Sequence, residues 1–291
     1  MSLSQSAPPE QAPTPSVLIS GASSGIGLRC AAFLAEKGYR VFAGYRHPPD
    51  ADKLATRHPG ITPVPLELTS QSSIEKAVNV ITEALNGAGL NGLVNNAGVV
   101  ISGPLEFVSL ADWRHQLDVN LIGPVTLTRQ CLPLLRQSQG RIVNIGSVAG
   151  IMTLPFLCPY SVSKLGLAAL SDALRVELKP WGIQVALIEP GNIHTPIWAK
   201  SLQTAKTAES HYPPDYTKLY GQVMDHVKAA SQKAAAHSIE ADVVAQAVYH
   251  ALSAPRAKTR YPLGLSVQIR RLLSMLPDRV RDWLIARQLG L

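Results

Sequence analysis

Ser16-Val-Leu-Ile-Ser20-Gly21-Ala22-Ser23-Ser24-Gly25-Ile26-Gly27 is the stretch on which the fold turns. A short apolar, β-prone run ends on glycines. Leu28 to Lys37 then continue with helical character, and Gly38 ends the segment. The first run reads as a buried strand, the glycines as a tight turn and the remainder as a helix. Tyr39 to Gly44 reads as the next strand, completing a βαβ unit that predicts a parallel sheet with helices on both faces. A glycine turn between strand and helix lets a pyrophosphate approach the backbone, and the helix start offers free N–H groups. The spacing is G-x-x-x-G-x-G.

The alternation continues outward. Ile61–Leu68, Gly92–Asn95, Arg141–Ile145 and Ile183–Glu189 read as strands. Ser72–Leu85, Ala111–Gln137, Tyr160–Lys179 and Ile239–Leu252 read as helices, with a kink or break expected at Pro133. Residues 192–236 lack strong periodicity, carry Trp198, Tyr212, Tyr216 and Tyr220, and read as a long substrate loop. Ser266–Leu289 gives one or two amphipathic helices broken at Pro277. The expected class is α/β with a doubly wound parallel sheet, whose ligands sit beyond the carboxyl ends of the strands.

Composition narrows the classes. The 291 residues are 46% hydrophobic and 16% charged, which marks a folded chain with a sizeable core. The net charge of +7 admits anionic partners, but lysine and arginine are mostly scattered and no zinc-finger or RNA-binding pattern occurs. Nucleic acid is set aside as a partner. Cys30, Cys131 and Cys158 form no disulfide or metal pattern and fit a reducing compartment; no metal is expected. Residues 1–15 read as a flexible arm without the basic and apolar regions of a signal peptide. No apolar stretch is long enough to span a bilayer, so a cytoplasmic protein is expected.

Further motifs stand where a doubly wound fold needs them. Asn95-Asn96-Ala97-Gly98 closes a strand, Asn120 lies in a helical stretch, and Ser147 follows a strand. Tyr160 and Lys164 lie thirteen and seventeen residues beyond Ser147. On a helix, residues four apart share a face, so an ammonium there can favour an ionised phenol. Pro190-Gly191 and Thr195 close the series. From about Ser16 to Thr195, in order and spacing, these motifs resemble those of the short-chain dehydrogenase/reductase family, and the likeness continues more weakly to the tail.

The resemblance implies a Rossmann-type catalytic domain over 16–265, including the substrate loop, and a helical extension over 266–291. It implies Tyr160 as general acid/base and Lys164 as the residue lowering its pKa and binding the nicotinamide ribose. Ser147 would polarise the substrate oxygen, and Asn120 would hold a water in a proton relay. Gly21, Ser23, Ser24, Gly25, Ile26 and Gly27 would cradle the pyrophosphate. Asn96, Ala97, Gly98, Leu68, Pro190 and Gly191 would line the cofactor, with Ile193 and Thr195 anchoring the carboxamide. Glu67 stands where relatives carry an aspartate that contacts adenine.

Tyr45 occupies the position of the acid that binds a ribose 2′-hydroxyl, and Arg46 follows it, with His47 adjacent. A guanidinium suits a 2′-phosphate, so NADP(H) is expected over NAD(H). Val148, Ile151, Met152, Leu154, Phe156, Leu157 and Trp198 suggest an apolar pocket. Val148–Pro159 and Asn192–Ala199 carry no lysine or arginine, which speaks against an anionic acid.

The expected activity is interconversion of a lipophilic alcohol and its carbonyl, of hydroxysteroid or retinoid type. The alternatives are a reductase of other small carbonyl compounds and a non-catalytic NADP(H)-binding regulator. Relatives commonly form dimers or tetramers through the helices around Asn120 and Tyr160, so a homo-dimer or homo-tetramer is expected. The tail mixes Arg270, Arg271, Arg279, Arg281 and Arg287 with leucines and Trp283. We favour packing on the domain or a partner subunit over contact with a membrane surface.

Overall fold

The computed structural model describes residues 14–57, 59–236 and 238–290. Most of the arm expected over 1–15 lies outside them. The opening βαβ unit comprises β1 (Ser16–Ile19), α1 (Gly25–Glu36) and β2 (Arg40–Tyr45). Then come α2 (Pro49–Ala55), β3 (Ile61–Pro65), α3 (Gln71–Leu85), β4 (Gly92–Asn95), α4 (Leu110–Leu117) and α5 (Gly123–Ser138). They are followed by β5 (Arg141–Ile145), α6 (Cys158–Glu177), β6 (Gln184–Pro190), α7 (Pro196–Glu209), α8 (Asp215–Ala236) and α9 (Ala241–Ser253). The chain closes with β7 (Arg260–Leu263), α10 (Leu265–Leu273) and α11 (Asp278–Leu289).

Seven parallel strands form one sheet in the order β3-β2-β1-β4-β5-β6-β7. Strand alternation divides the apolar residues between its two faces. Val17, Ile19, Val41, Ala43, Val94 and Ile188 share one core with Cys30 and Leu34 of α1 and Val244 and Val248 of α9. Leu18, Phe42, Leu93 and Ile142 share the other with Ile74 and Ile81 of α3 and Leu127 and Leu135 of α5. Successive strands run one way from β1 to β3 and the other way from β4 to β7. The crevice where the order reverses is the natural ligand site of such a sheet.

The two edge strands share a local feature. Leu66 N–H donates to Tyr45 O (2.7 Å), so the even positions of β3 turn inward and Pro63 and Pro65 turn outward. Leu187 N–H donates to Thr259 O and Gly191 N–H to Leu263 O, each at 3.0 Å, which turns Pro262 of β7 outward as well. Proline has no N–H and is tolerated there.

Three expectations change. The long helix expected over 111–137 is continuous from Leu110 to Ser138 but widens at a π-helical turn, Asp118–Ile122, and α5 runs unbroken through Pro133, where a kink or break was expected. Pro133 is exposed, where water can serve the carbonyl it leaves without a donor. Pro124 has no N–H for the Asn120 carbonyl, and Gly123 N–H donates instead to Asp118 O, five residues back. The substrate loop over 192–236 contains α7 and α8 rather than irregular chain. In the tail, α10 buries Val267 but turns Leu265, Ile269 and Leu272 outward.

Candidate active site

The glycine turn is built for close approach. Gly21 has φ +64, and a Cβ there would lie 2.8 Å from Ala97 Cα. A Cβ on Gly27 would collide with Gly21 O and Asn96 Nδ2. Asn96 Nδ2 donates to Ser20 O (2.9 Å) and Gly21 O (3.0 Å), while Asn96 and Ala97 N–H both donate to Ser20 Oγ (3.0 and 3.1 Å). The loops after β1 and β4 are thereby locked together. Gly21, Ser23, Ser24, Gly25, Ile26, Asn96, Ala97 and Gly98 line one cleft at the strand ends. Ser24 caps α1 without a side-chain hydrogen bond, so the first-turn N–H groups remain for a ligand. Gly27 lies behind the cleft, as packing space and not as lining.

Arg46, Glu67 and Leu68 line the same cleft beyond β2 and β3, with Tyr45, His47 and Asp50. Arg46 Nε lies 3.2 Å from His47 Nε2 and 3.8 Å from Glu67 Oε2. Glu67 Oε1 accepts from Thr69 N–H (3.1 Å) and Thr69 Oγ1 (3.0 Å). Its carboxylate is therefore engaged with Thr69 and Arg46.

The other half of the cleft holds Ser147, Tyr160, Lys164, Pro190, Gly191, Ile193 and Thr195. Ser147, just past β5, accepts from Ala149 N–H (3.1 Å), which leaves its own proton to donate elsewhere. Pro159 at the start of α6 fits a first turn that needs no donor. Tyr160 and Lys164 lie one turn apart, with Lys164 Nζ 5.8 Å from the Tyr160 ring centre. Lys164 is 5% exposed and donates to Ile145 O (2.8 Å). Burial lowers its ammonium to about 8. Burial raises the Tyr160 phenol, while a hydrogen bond with Ser147 acts the other way. Burial is the larger effect and sets the direction for the phenol.

Asn120 sits behind the cleft. Its Oδ1 accepts from Val99 N–H (2.9 Å), and its Nδ2 donates to Val99 O (3.0 Å) and Ser163 Oγ (3.1 Å). Gln116 holds the same loop through Val99 O and Ile101 N–H. The Asn120 side chain thus braces the wall of the site, and only its carbonyl has lost its ordinary donor. Neither Gln116 nor Ser20 bears a motif signal that sequence reading could use. Asn95, beside the motif's second asparagine, joins Asn144 (2.8 Å) and Thr128 (3.1 Å) in a buried polar ladder.

Thr195 faces the glycine turn, since a Cβ on Gly25 would meet it at 3.3 Å. Trp198 stands edge-on to Tyr160 with ring centres 6.2 Å apart. Together with Leu157, Ile197, Val100 and Ala149 they form an apolar wall. Tyr212, Tyr216 and Tyr220 instead pack on Phe107, and Phe156 meets Tyr220. Lys200 also lines the cleft, one position beyond the cation-free segment Asn192–Ala199. His194 is exposed beside Glu240 (3.8 Å), and Cys158 is a free thiol. Among the described residues no cluster of acidic, histidine or cysteine side chains could hold a metal.

Comparison with known proteins agrees with this architecture. A family model described as short chain dehydrogenase matches residues 15–206. An NADPH-dependent 3-dehydrocapnine reductase from Ornithobacterium rhinotracheale is 35% identical over 280 residues, covering 94% of this chain and 96% of the relative. Retinol dehydrogenase 5 of Mus musculus is 35% identical over 283 residues, covering 93% and 89%. The crystal structure of a short-chain dehydrogenase from Streptomyces avermitilis aligns with a TM-score of 0.76 at 23% identity, covering 96% and 98%.

Proposed function

The chain belongs to the short-chain dehydrogenase family of oxidoreductases, and we propose that it interconverts a lipophilic alcohol and its ketone or aldehyde with NADP(H). The observation that carries this reading is a buried ammonium, Lys164, without a carboxylate, one helical turn from a buried phenol and beside an open cleft. The glycine cradle and the open start of α1 fit a pyrophosphate, and Arg46 fits a 2′-phosphate. The printed name of the bacterial relative favours NADPH. When bound, the cofactor supplies or accepts the hydride.

Tyr160 gives its phenolic proton to the substrate oxygen in reduction and takes it back in oxidation. Ser147 donates its hydroxyl to the same oxygen as negative charge develops there. Lys164 offsets the charge of the phenolate and binds the nicotinamide ribose. Asn120 supports the relay through its carbonyl, because its side chain is committed to Val99 and Ser163. Asn96, Ala97, Gly98, Leu68, Pro190 and Gly191 enclose the cofactor, with Ile193 and Thr195 at the carboxamide end.

Trp198 and Ile197, which line the cleft, favour a bulky apolar substrate, as does likeness to a protein named retinol dehydrogenase. Lys200 favours a second reading, a carbonyl compound with an anionic group. Exposed Ile122, Val162 and Leu165 on the helices around Asn120 and Tyr160 support a homo-dimer or homo-tetramer. The free thiols fit a cytoplasmic setting, and no helix among the described residues is long and apolar enough to cross a membrane.

The test is NADPH- and NADP⁺-linked turnover of steroids, retinoids, small neutral ketones and keto acids by the parent and Tyr160→Phe. The variant is expected to lose at least ~10³-fold in kcat/KM while its NADPH affinity stays within about threefold. Equal turnover by parent and variant would refute the acid/base role. NADPH binding without turnover of any substrate would favour the regulatory alternative, and a preference for keto acids would favour the anionic reading.

A further inference from the structure

The outermost helices turn their apolar side chains the wrong way for a core. In α10, Val267 packs on Gly191 and Arg271 reaches Glu189 at 3.3 Å. Leu265, Ile269 and Leu272 fall at i, i+4 and i+7, on the opposite face. Leu265 is 71% exposed, Leu272 is 68% exposed, and Met275 just beyond the helix is 81% exposed. In α11 the far end is seated, with Leu289 buried and Gly290 against His226. Val280 and Trp283 remain in water, the latter 57% exposed with Arg287 5.5 Å from its ring centre. Burial of such side chains is worth about 1.5–3 kcal/mol each, so their shared exposure marks a contact surface.

Charge identifies the occupant. Residues 254–290 hold eight lysines and arginines against two aspartates, so they supply six of the chain's seven net positive charges. Arg260 and Arg271 are tied to Glu189, but Arg256, Lys258 and Arg279 are exposed. Arg279 makes no ion pair among the described residues. A two-fold contact with a second copy would bring like-charged faces together. Leucines and a tryptophan beside arginines are the composition that settles at the boundary between acyl chains and anionic headgroups.

We propose that α10 and α11 dock the protein on an anionic lipid surface. Leu265, Ile269, Leu272 and Trp283 enter the acyl boundary, and the exposed Arg279 and Arg287 meet the headgroups. The inference rests on the tail alone and does not depend on the reaction.

The experiment is flotation of the full chain with NADPH on vesicles of phosphatidylcholine, and of phosphatidylcholine and phosphatidylserine at about 7:3. The expected bound fraction is at least ~10-fold higher on the anionic vesicles and falls several-fold between roughly 0.05 and 0.5 M salt. Leu272→Glu with Trp283→Glu, and separately Arg279→Glu with Arg287→Glu, are each expected to lower binding ~10-fold or more. Both pairs keep the parent's thermal melt within a few degrees, because the replaced side chains point into water. A parent that floats with neither vesicle overturns the proposal. So does a parent oligomer that Leu272→Glu dissociates while neither protein floats, since the stripe then covers a second copy.

Discussion

Two buried charges in the fold are treated in opposite ways. Glu189, on β6, is 1% exposed and held by Arg260 at 2.7 Å and Arg271 at 3.3 Å. Arg260 also reaches Asp172 of α6 at 2.6 Å, so the cluster fastens β7 and α10 to the body of the domain. Lys164, on α6, is almost as buried, but among the described residues it has the Ile145 carbonyl and the Tyr160 ring for company and no carboxylate. A buried charge neutralised on the spot holds structure together. A buried charge left without a counter-ion is a standing cost, and folds tolerate it where the charge is used.

The sharpest way to break this contrast is Lys164→Met. Its kcat/KM is expected to fall at least ~10³-fold, about 4 kcal/mol of transition-state stabilisation, in assays of NADPH oxidation. Retention of activity within about tenfold would mean that the unpaired ammonium is not used. Next in size is Glu189→Gln, which takes the carboxylate from Arg271 and leaves Arg260 with Asp172 alone. Urea unfolding is expected to show a loss of about 3 kcal/mol, with kcat/KM of the folded enzyme far less affected than in Lys164→Met.

The third prediction concerns pH. Burial lowers the Lys164 ammonium from 10.5 to about 8 in the folded chain. Between those values the unfolded chain holds the extra proton, so this group makes stability rise with pH across the window. Below about pH 8 both states are protonated and the folded state bears the full penalty. Lys164→Met escapes it but loses the hydrogen bond to Ile145, so it should exceed the parent by on the order of 2 kcal/mol near pH 6.5. The gap should close towards pH 10. Urea midpoints at the two pH values measure it, and a pH-independent gap would remove the buried ammonium from the account.

Arg46 stands between the two extremes, exposed and only loosely held by Glu67. Arg46→Ala is expected to lower kcat/KM with NADPH about tenfold and to change that with NADH less than about twofold. Equal losses with both cofactors would assign Arg46 to structure rather than to a 2′-phosphate.

The sheet and the cleft were largely legible in sequence. The runs at Gly92–Asn95 and Arg141–Ile145 are strands with those same bounds, because buried parallel strands are short apolar runs between turns. Of the predicted catalytic and cofactor-binding residues, Gly27 and Asn120 alone do not line the cleft, and each supports it from behind; of the expected apolar pocket, Trp198 lines it, whereas Val148, Ile151, Met152, Leu154, Phe156 and Leu157 do not. What sequence hides is where a side chain spends its hydrogen bonds. Nothing in the spelling of Glu67 reveals Thr69 as its partner. Pro133 and Pro124 look alike as helix breakers, yet only Pro124 adjoins an irregularity, the π-helical turn. The aromatics after residue 192 lie on helices but gather on Phe107 across the fold, so they lay down no regular stripe. Periodicity also cannot tell an inward apolar face from an outward one, which is why α10 reads as a packed helix until its exposure is seen.

Pro63, Pro65 and Pro262 give the sheet a property that neither the cleft nor the tail explains. A strand from another molecule adds to a sheet by finding a row of outward N–H donors, and these prolines remove donors from both borders. Ile61 and Arg260 still turn an N–H outward, but the row of donors is broken at both borders, which disfavours a neighbouring sheet running on from either edge. Crowded copies of this chain are steered towards helix faces instead, and fibrous growth along the sheet is opposed at both ends.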